Sequence, residues 1–174
     1  LGMVAKRMGV KAPSLYYHFK DKAELLAEVA RFILLDTGYE EDAEGSWEER
    51  TIDLCVETRR ALLKHPNAAF LILQFFPRHL LLDSYEHAIK GYPHTRELHL
   101  AILEGIEKLT FGSALFEAAA RAAGQPAMPP FDTVRYPSLA QSLAVCPRDD
   151  ETNFIEAMRM FFAGVRVRVG ELAG

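Results

Sequence analysis

The sequence predicts an all-α fold. No stretch alternates polar and apolar residues with the period of two that a half-buried strand requires, and apolar residues recur instead at helical spacing. Gly, Pro and capping residues also punctuate the chain where helices would begin and end. With 174 residues, 49% of them hydrophobic, the chain is long enough to bury a real core. The expected organisation is a short helix pair over residues 1–26 and a helical body over residues 27–174, with no internal repeat.

The opening run LGMVAKRMGVKAPSLYYHFKDKAELL predicts a helix-turn-helix. Val4 and Met8 mark one apolar helical face, and Ala5 beside them is small enough for a second helix to cross closely. Gly9 ends the first helix, because it takes the left-handed backbone of a helix C-terminus at little cost. Val10, Leu15 and Phe19 supply matching apolar contacts, and Pro13 suits the first turn of a second helix spanning Ala12 to His18. Lys11, Ser14, Tyr16, Tyr17 and His18 are then donors and flat rings at the start and outer face of that helix. Such side chains suit a duplex, since the second helix of the motif enters the major groove while hydroxyls and amines hold phosphates.

The run GVKAPSLYYHFKDKAELL resembles the DNA-binding signature of the TetR family of transcriptional repressors, over about 25 residues. The resemblance implies that Lys11, Ala12, Pro13, Ser14, Tyr16, Tyr17, His18 and Lys22 approach DNA, with Tyr17 and His18 near phosphates. It also implies a bracing helix before the first one, so the chain is expected to begin upstream of Leu1.

The charge distribution agrees with a DNA-touching head. Residues 1–26 carry a net +3 against −7 for the remainder, within an overall −4. A basic head on an acidic body suits contact with phosphates at one end only. Cys55 and Cys146 lack metal or redox spacing and read as reduced thiols, which points to the cytoplasm. The most apolar run, Phe70 to Leu82, is short and interrupted by Gln74, Pro77 and Arg78, so neither a signal peptide nor a membrane span is expected.

The body reads as a series of helices. Asp21 with Glu24 is a capping-box pattern ahead of a helix to about Gly38, whose Leu25, Leu26, Val29, Phe32 and Ile33 form one stripe. An acidic connection, Glu40 to Gly45, follows. Ser46 with Glu49 forms a second capping box, Trp47 opens a helix to about Lys64, and Pro66 stops it by pushing the preceding residue out of the helical region. Asn67 to Phe76 is apolar all round, which predicts a helix that is buried or lines a cavity. Further helices are expected over Arg78 to Gly91, Thr95 to Ala123, Ser138 to Val145 and Asp149 to Glu171, with a Pro-rich irregular segment from Gly124 to Pro137. Asp149, Asp150 and Glu151 in the first turn of the last helix favour the positive end of its dipole.

The body is similar, more weakly, to the tetracycline repressor branch of the same family, in length, in helix order, in the GSW start near Trp47 and in the LLKH run near His65. That likeness implies a homodimer built from the long helix and the final helix, and a small-molecule cavity in each subunit. Two broad apolar stripes late in a small chain also favour association on physical grounds. Tetracycline-type relatives hold magnesium with a His in the segment where this chain has Ile72, Gln74, Phe75 and Phe76, so magnesium-tetracycline is not expected. Phe70, Ile72, Gln74, Phe75, Phe76 and Phe111, with Leu54 and Thr58, are the expected ligand-binding residues, suited to an apolar or aromatic compound.

No cofactor, metal site or catalytic residue is expected. His79, His87, His94 and His99 have no pair three or four apart, and no nucleophile elbow, phosphate-cradling Gly loop or spaced carboxylate pair is present. The expected function is a repressor that binds palindromic double-stranded operator DNA as a homodimer and is released by a small effector, away from any membrane. Two rivals remain: a regulator of the same fold controlled by a protein partner, and a helical enzyme or carrier with a vestigial helix-turn-helix.

Overall fold

The computed structural model describes residues 1–35, 44–76, 78–93, 96–126, 128–146 and 149–173, apart from the side chains at 12, 73, 80 and 173. Its helices are α1 (Gly2–Met8), α2 (Ala12–His18), α3 (Lys22–Leu35), α4 (Trp47–Lys64), α5 (Pro66–Gln74), α6 (Leu82–Gly91), α7 (Arg96–Ala123), α8 (Pro137–Val145) and α9 (Asp150–Ala173). A 3-10 turn, Arg78–Leu80, precedes α6. The fold is all-α, with no strand among the described residues.

Local chemistry sets most boundaries. At α3 the Asp21 carboxylate accepts from the Glu24 N–H at 2.8 Å, and the Glu24 carboxylate reaches back to the Lys20 N–H. The second capping box is complete: Ser46 Oγ accepts from the Glu49 N–H at 3.2 Å, and Glu49 Oε2 accepts from the Ser46 N–H at 2.8 Å. The Ser46 N–H, and then the Ser46 hydroxyl donating to Glu49 Oε2 at 2.8 Å, hold the Glu49 carboxyl below its usual range. His65, at φ −126° and ψ 59°, both ends α4 and starts α5, as the following Pro66 requires.

Two expectations need revision. The helix expected over Arg78 to Gly91 is split, because Leu81 (φ −107°, ψ 6°) is buried in the core and the chain turns there before α6. The helix expected to reach Phe76 ends at Gln74, with Phe75 leaving the helical region at ψ 37°. The expected end of α3 at residues 36–38 and the acidic stretch 40–43 lie outside the described residues.

Helix α7 is the spine of the body. α4 and α5 pack along it on one side, α9 packs along it as well as on α4, and α3 lies across α4 and α5. One core cluster joins Cys55 and Val56 of α4, Ile102 and Ile106 of α7, and Phe154, Met158, Phe162 and Val165 of α9. A second joins Ala30, Ile33 and Leu34 of α3 with Leu62, Ile72, Leu81 and Ala114. Where α7 meets α9, a Cβ on Gly105 would come within 2.6 Å of the Phe161 ring, so glycine permits that close approach.

A buried cation fastens three of these helices together. Arg59 of α4 is only 2% exposed. Its Nε donates to Ser113 Oγ at 3.0 Å, its Nη2 donates to Glu117, its Nη1 lies 3.9 Å from Glu151, and its guanidinium sits 5.7 Å from the Phe154 ring centre. Arg60 beside it is exposed and also binds Glu151, whose carboxyl is held below its ordinary 4.5, chiefly by that bond. The outward faces of α7 and α9 carry large uncovered apolar side chains, including Leu100, Phe116, Met160 and Val167.

Truncating Arg59 to Ala leaves the Glu117 carboxylate without its buried partner and is expected to cost about 3–5 kcal/mol in urea unfolding, well above the loss for Arg60→Ala. The Glu151 contribution is present above its unfolded value of 4.5 and lost as pH falls through the lower folded value. The drop in melting temperature on acidification below pH 4.5 is therefore expected to be shallower in Glu151→Gln.

Candidate nucleic-acid interface and internal cavity

The head is built around one left-handed glycine. Gly9 sits at φ 69°, its N–H donates to the Lys6 carbonyl at 3.2 Å, and the Val10 N–H donates to the Ala5 carbonyl at 3.0 Å. This paired closure ends α1 and swings the chain into α2. α2 opens with Lys11 in extended backbone (φ −79°, ψ 142°) and Pro13 in its first turn. Ala5 and Leu15 are buried where α1 and α2 cross.

That crossing leaves the opposite side of α2 open. Lys11, Pro13, Ser14, Tyr16, Tyr17 and His18 are all exposed, as is Lys22 at the start of α3, and Tyr17 is 88% exposed. The Tyr17 and His18 rings meet edge to face at 5.3 Å. Lys6 and Arg7, in the last turn of α1, add two exposed cations next to this face. Ala12 lies in α2, but its side chain is outside the described set. The arrangement is a short, convex, cationic and aromatic ridge of groove-entering size.

The body holds a cavity of about 910 Å³ between α3, α4, α6 and α7. Of the residues expected to bind ligand, Leu54, Thr58, Phe76 and Phe111 line it. Phe76 and Phe111 form an edge-to-face pair at 5.0 Å. Phe70, Ile72, Gln74 and Phe75 do not line it: α5 packs on α3, α4 and α7, and of this aromatic run Phe76, beyond the helix end, lines the cavity. Ile72 is spent in the core, Phe70 is 53% exposed, Gln74 is exposed and Phe75 is half-buried off the cavity.

Other wall residues were not anticipated. Leu34 and Leu35 come from the end of α3, Trp47 from the start of α4, Tyr85 from α6, Tyr92 just after it, and Glu107 and Thr110 from α7. Trp47 and Tyr92 pack edge to face at 4.7 Å. The Tyr85 hydroxyl donates to Glu107 Oε1 at 2.5 Å and Arg78 Nη2 donates to Glu107 Oε2 at 2.7 Å, so one carboxylate ties α6 and the preceding turn to α7. Burial, then the bond to Glu107, holds the Tyr85 phenol well above its ordinary range. Burial foremost, with Cys55 and Glu107 adding to it, pushes Tyr92 up to about 12. Burial also pushes the Cys55 thiol up to about 11, against a pull from the Thr110 hydroxyl beside it. No group of His, Cys, Asp and Glu among the described residues could hold a metal ion, and none of the described helices is long and apolar enough to cross a membrane.

Two short helices joined at Gly9, set on a helical body that holds a cavity, form the architecture of a helix-turn-helix protein. Residues 1–29 match the tetR family of bacterial regulatory proteins. Over 97% of its length the chain is 27% identical to the class D tetracycline repressor protein of Escherichia coli, covering 80% of that protein. Among solved structures, a possible TetR family transcriptional regulator from Streptomyces coelicolor A3(2) superposes with a TM-score of 0.74 at 24% identity, over 95% of this chain and 88% of that one. The Streptomyces coelicolor TetR family protein ActR in complex with actinorhodin superposes at 0.70 and 19% identity, over 97% and 87%. Over the head the chain is thus similar to the tetR family, and over its full length to a tetracycline repressor.

The perturbed Cys55 gives a direct check on the cavity wall. At pH 8 a thiol reagent is expected to modify Cys146, which is partly exposed, and to leave Cys55 unmodified until denaturant is added. Rapid labelling of both thiols in the native protein would contradict the packing of α4 on α7.

Proposed function

We propose that the protein is a ligand-responsive repressor that binds palindromic operator DNA as a homodimer and lets go when a small, largely apolar or aromatic molecule fills the cavity. In this reading residues 1–26 bind DNA, residues 27–174 bind ligand and pair, and the chain is a regulator rather than an enzyme. The observation that carries it is the path of α3. It starts at Lys22, directly after the reading helix, and its far end places Leu34 and Leu35 in the cavity wall. Fourteen residues of helix make a rod about 21 Å long, which conveys a shift at one end to the other.

Pairing is supported by the uncovered apolar side chains of α7 and α9, which suit helix packing across a two-fold axis. Two heads must sit about 34–36 Å apart to enter successive major grooves. Occupancy of the cavity pushes α3 and changes that separation, so a ligand favouring the shifted state lowers DNA affinity by its differential binding. ActR, whose structure holds actinorhodin, offers a precedent for an aromatic effector in this fold.

The test is fluorescence anisotropy or gel shift with palindromes from the DNA flanking the coding region, with and without a panel of flat aromatic compounds. Binding is expected to weaken steeply with salt. Lys22→Ala is expected to reduce the salt slope by about 1, and Tyr17→Ala to weaken binding across all sequences, if both meet phosphates. Absence of binding to every palindrome, or a protein that remains single at working concentration, would overturn the reading.

A further inference from the structure

We infer that Glu107 is the hydrogen-bond acceptor that recognises the effector, and that the effector is an uncharged polycyclic aromatic compound bearing a hydroxyl group. This rests on the reading of the cavity as the effector site and adds a ligand class to it.

The carboxylate is held in the more apolar part of a wall that also carries Arg50, Asp83, Ser84 and His87. The Glu107 side chain is 12% exposed and lines the cavity among Leu34, Ile106, Phe76 and Phe111. Its two oxygens receive one donor each, from Tyr85 and Arg78. A carboxylate offers about four acceptor positions, so two remain, and they can be satisfied only by donors. One turn along α7, the Thr110 hydroxyl is buried and makes no hydrogen bond among the described residues. The Cys55 thiol near it is a weak partner at best. α7 therefore offers the cavity an acceptor with spare capacity next to a hydroxyl in need of a partner, a pairing that fits an O–H group.

Charge decides the rest. Arg78 offsets Glu107, and Arg50 matches Asp83 in number, so these four groups carry no net charge that selects a cation. A carboxylate ligand would meet Asp83 and Glu107, two carboxylates against the single Arg50 guanidinium, which spends one of its donors on the Gly45 carbonyl at 2.6 Å. The Thr51 hydroxyl is likewise committed, to the Trp47 carbonyl at 2.8 Å. Neither an anion nor a cation is favoured, whereas the Phe76–Phe111 and Trp47–Tyr92 pairs offer edges and faces to a flat ring system.

The experiment compares pyrene with 1-hydroxypyrene, both uncharged at pH 7, using energy transfer from Trp47, the one tryptophan in the chain and part of the cavity wall. In a purely apolar cavity the hydrocarbon binds more tightly, because burying an unpartnered hydroxyl is unfavourable. With Glu107 as acceptor the order reverses, and 1-hydroxypyrene is expected to bind about tenfold more tightly. In Glu107→Gln the amide oxygen stays with Tyr85 and the amide nitrogen, a donor, faces Arg78 and the cavity, so the ratio of 1-hydroxypyrene to pyrene affinity is expected to fall to about one or below, whatever the change common to both probes. Equal or tighter binding of pyrene by the unaltered protein overturns the inference and leaves the effector cavity standing, as does an equal loss of both probes in Glu107→Gln. Binding of neither probe to the unaltered protein overturns the inference and the cavity reading together.

Discussion

A guanidinium buried at the centre of a helical body must be neutralised where it lies, and Arg59 sets that requirement for this fold. Its partners come from two other helices, Ser113 and Glu117 from α7 and Glu151 from α9, so α4 cannot slide against either without stranding a charge in the interior. The same helix turns Leu54, Cys55 and Thr58 toward the cavity. The floor of the cavity is thus attached to this buried joint.

Those walls differ in how firmly they are held. No residue of α6 is buried, and the helix is tied to α7 through the Tyr85 and Arg78 bonds to Glu107. α3 is better packed, with Ala27, Ala30, Ile33 and Leu34 buried against α4 and α5. Elements with little burial open at the lowest cost in a native structure. The cavity therefore has one firmly tied side, one loosely held side and one rod that leads out to the exposed ridge of α2.

The head was legible because its determinants are local. Gly9, Pro13 and the small Ala5 each act within a few residues of themselves, and the exposed face of α2 is the complement of a two-residue contact at Ala5 and Leu15. The cavity was legible only in part. Leu54, Thr58, Phe76 and Phe111 were found by helical spacing and by resemblance, whereas the aromatic run Phe70 to Phe76 drew attention to α5 as a whole. Helical spacing reports that a face is apolar and is silent on whether a neighbouring helix or an open space meets it. Ile72 met a helix, Phe70 met neither, and Phe76 met the cavity. Glu107 and Tyr85 carried no sequence signal, since a lone Glu and a lone Tyr on separate helices look like surface residues until the fold joins them.

By itself the sequence determined the all-helical class, the caps and breaks that bound most helices, and the exposed ridge of α2, because each depends on backbone preferences and side chains within about one turn. Tertiary structure alone decided which apolar faces become core and which become cavity, and it brought Arg59, Glu117 and Glu151 into one cluster and Tyr85, Arg78 and Glu107 into another. Those outcomes depend on where helices tens of residues apart cross. Crossing geometry is set by the packing of whole faces, with Gly105 against Phe161 as one example, and not by any short stretch of chain.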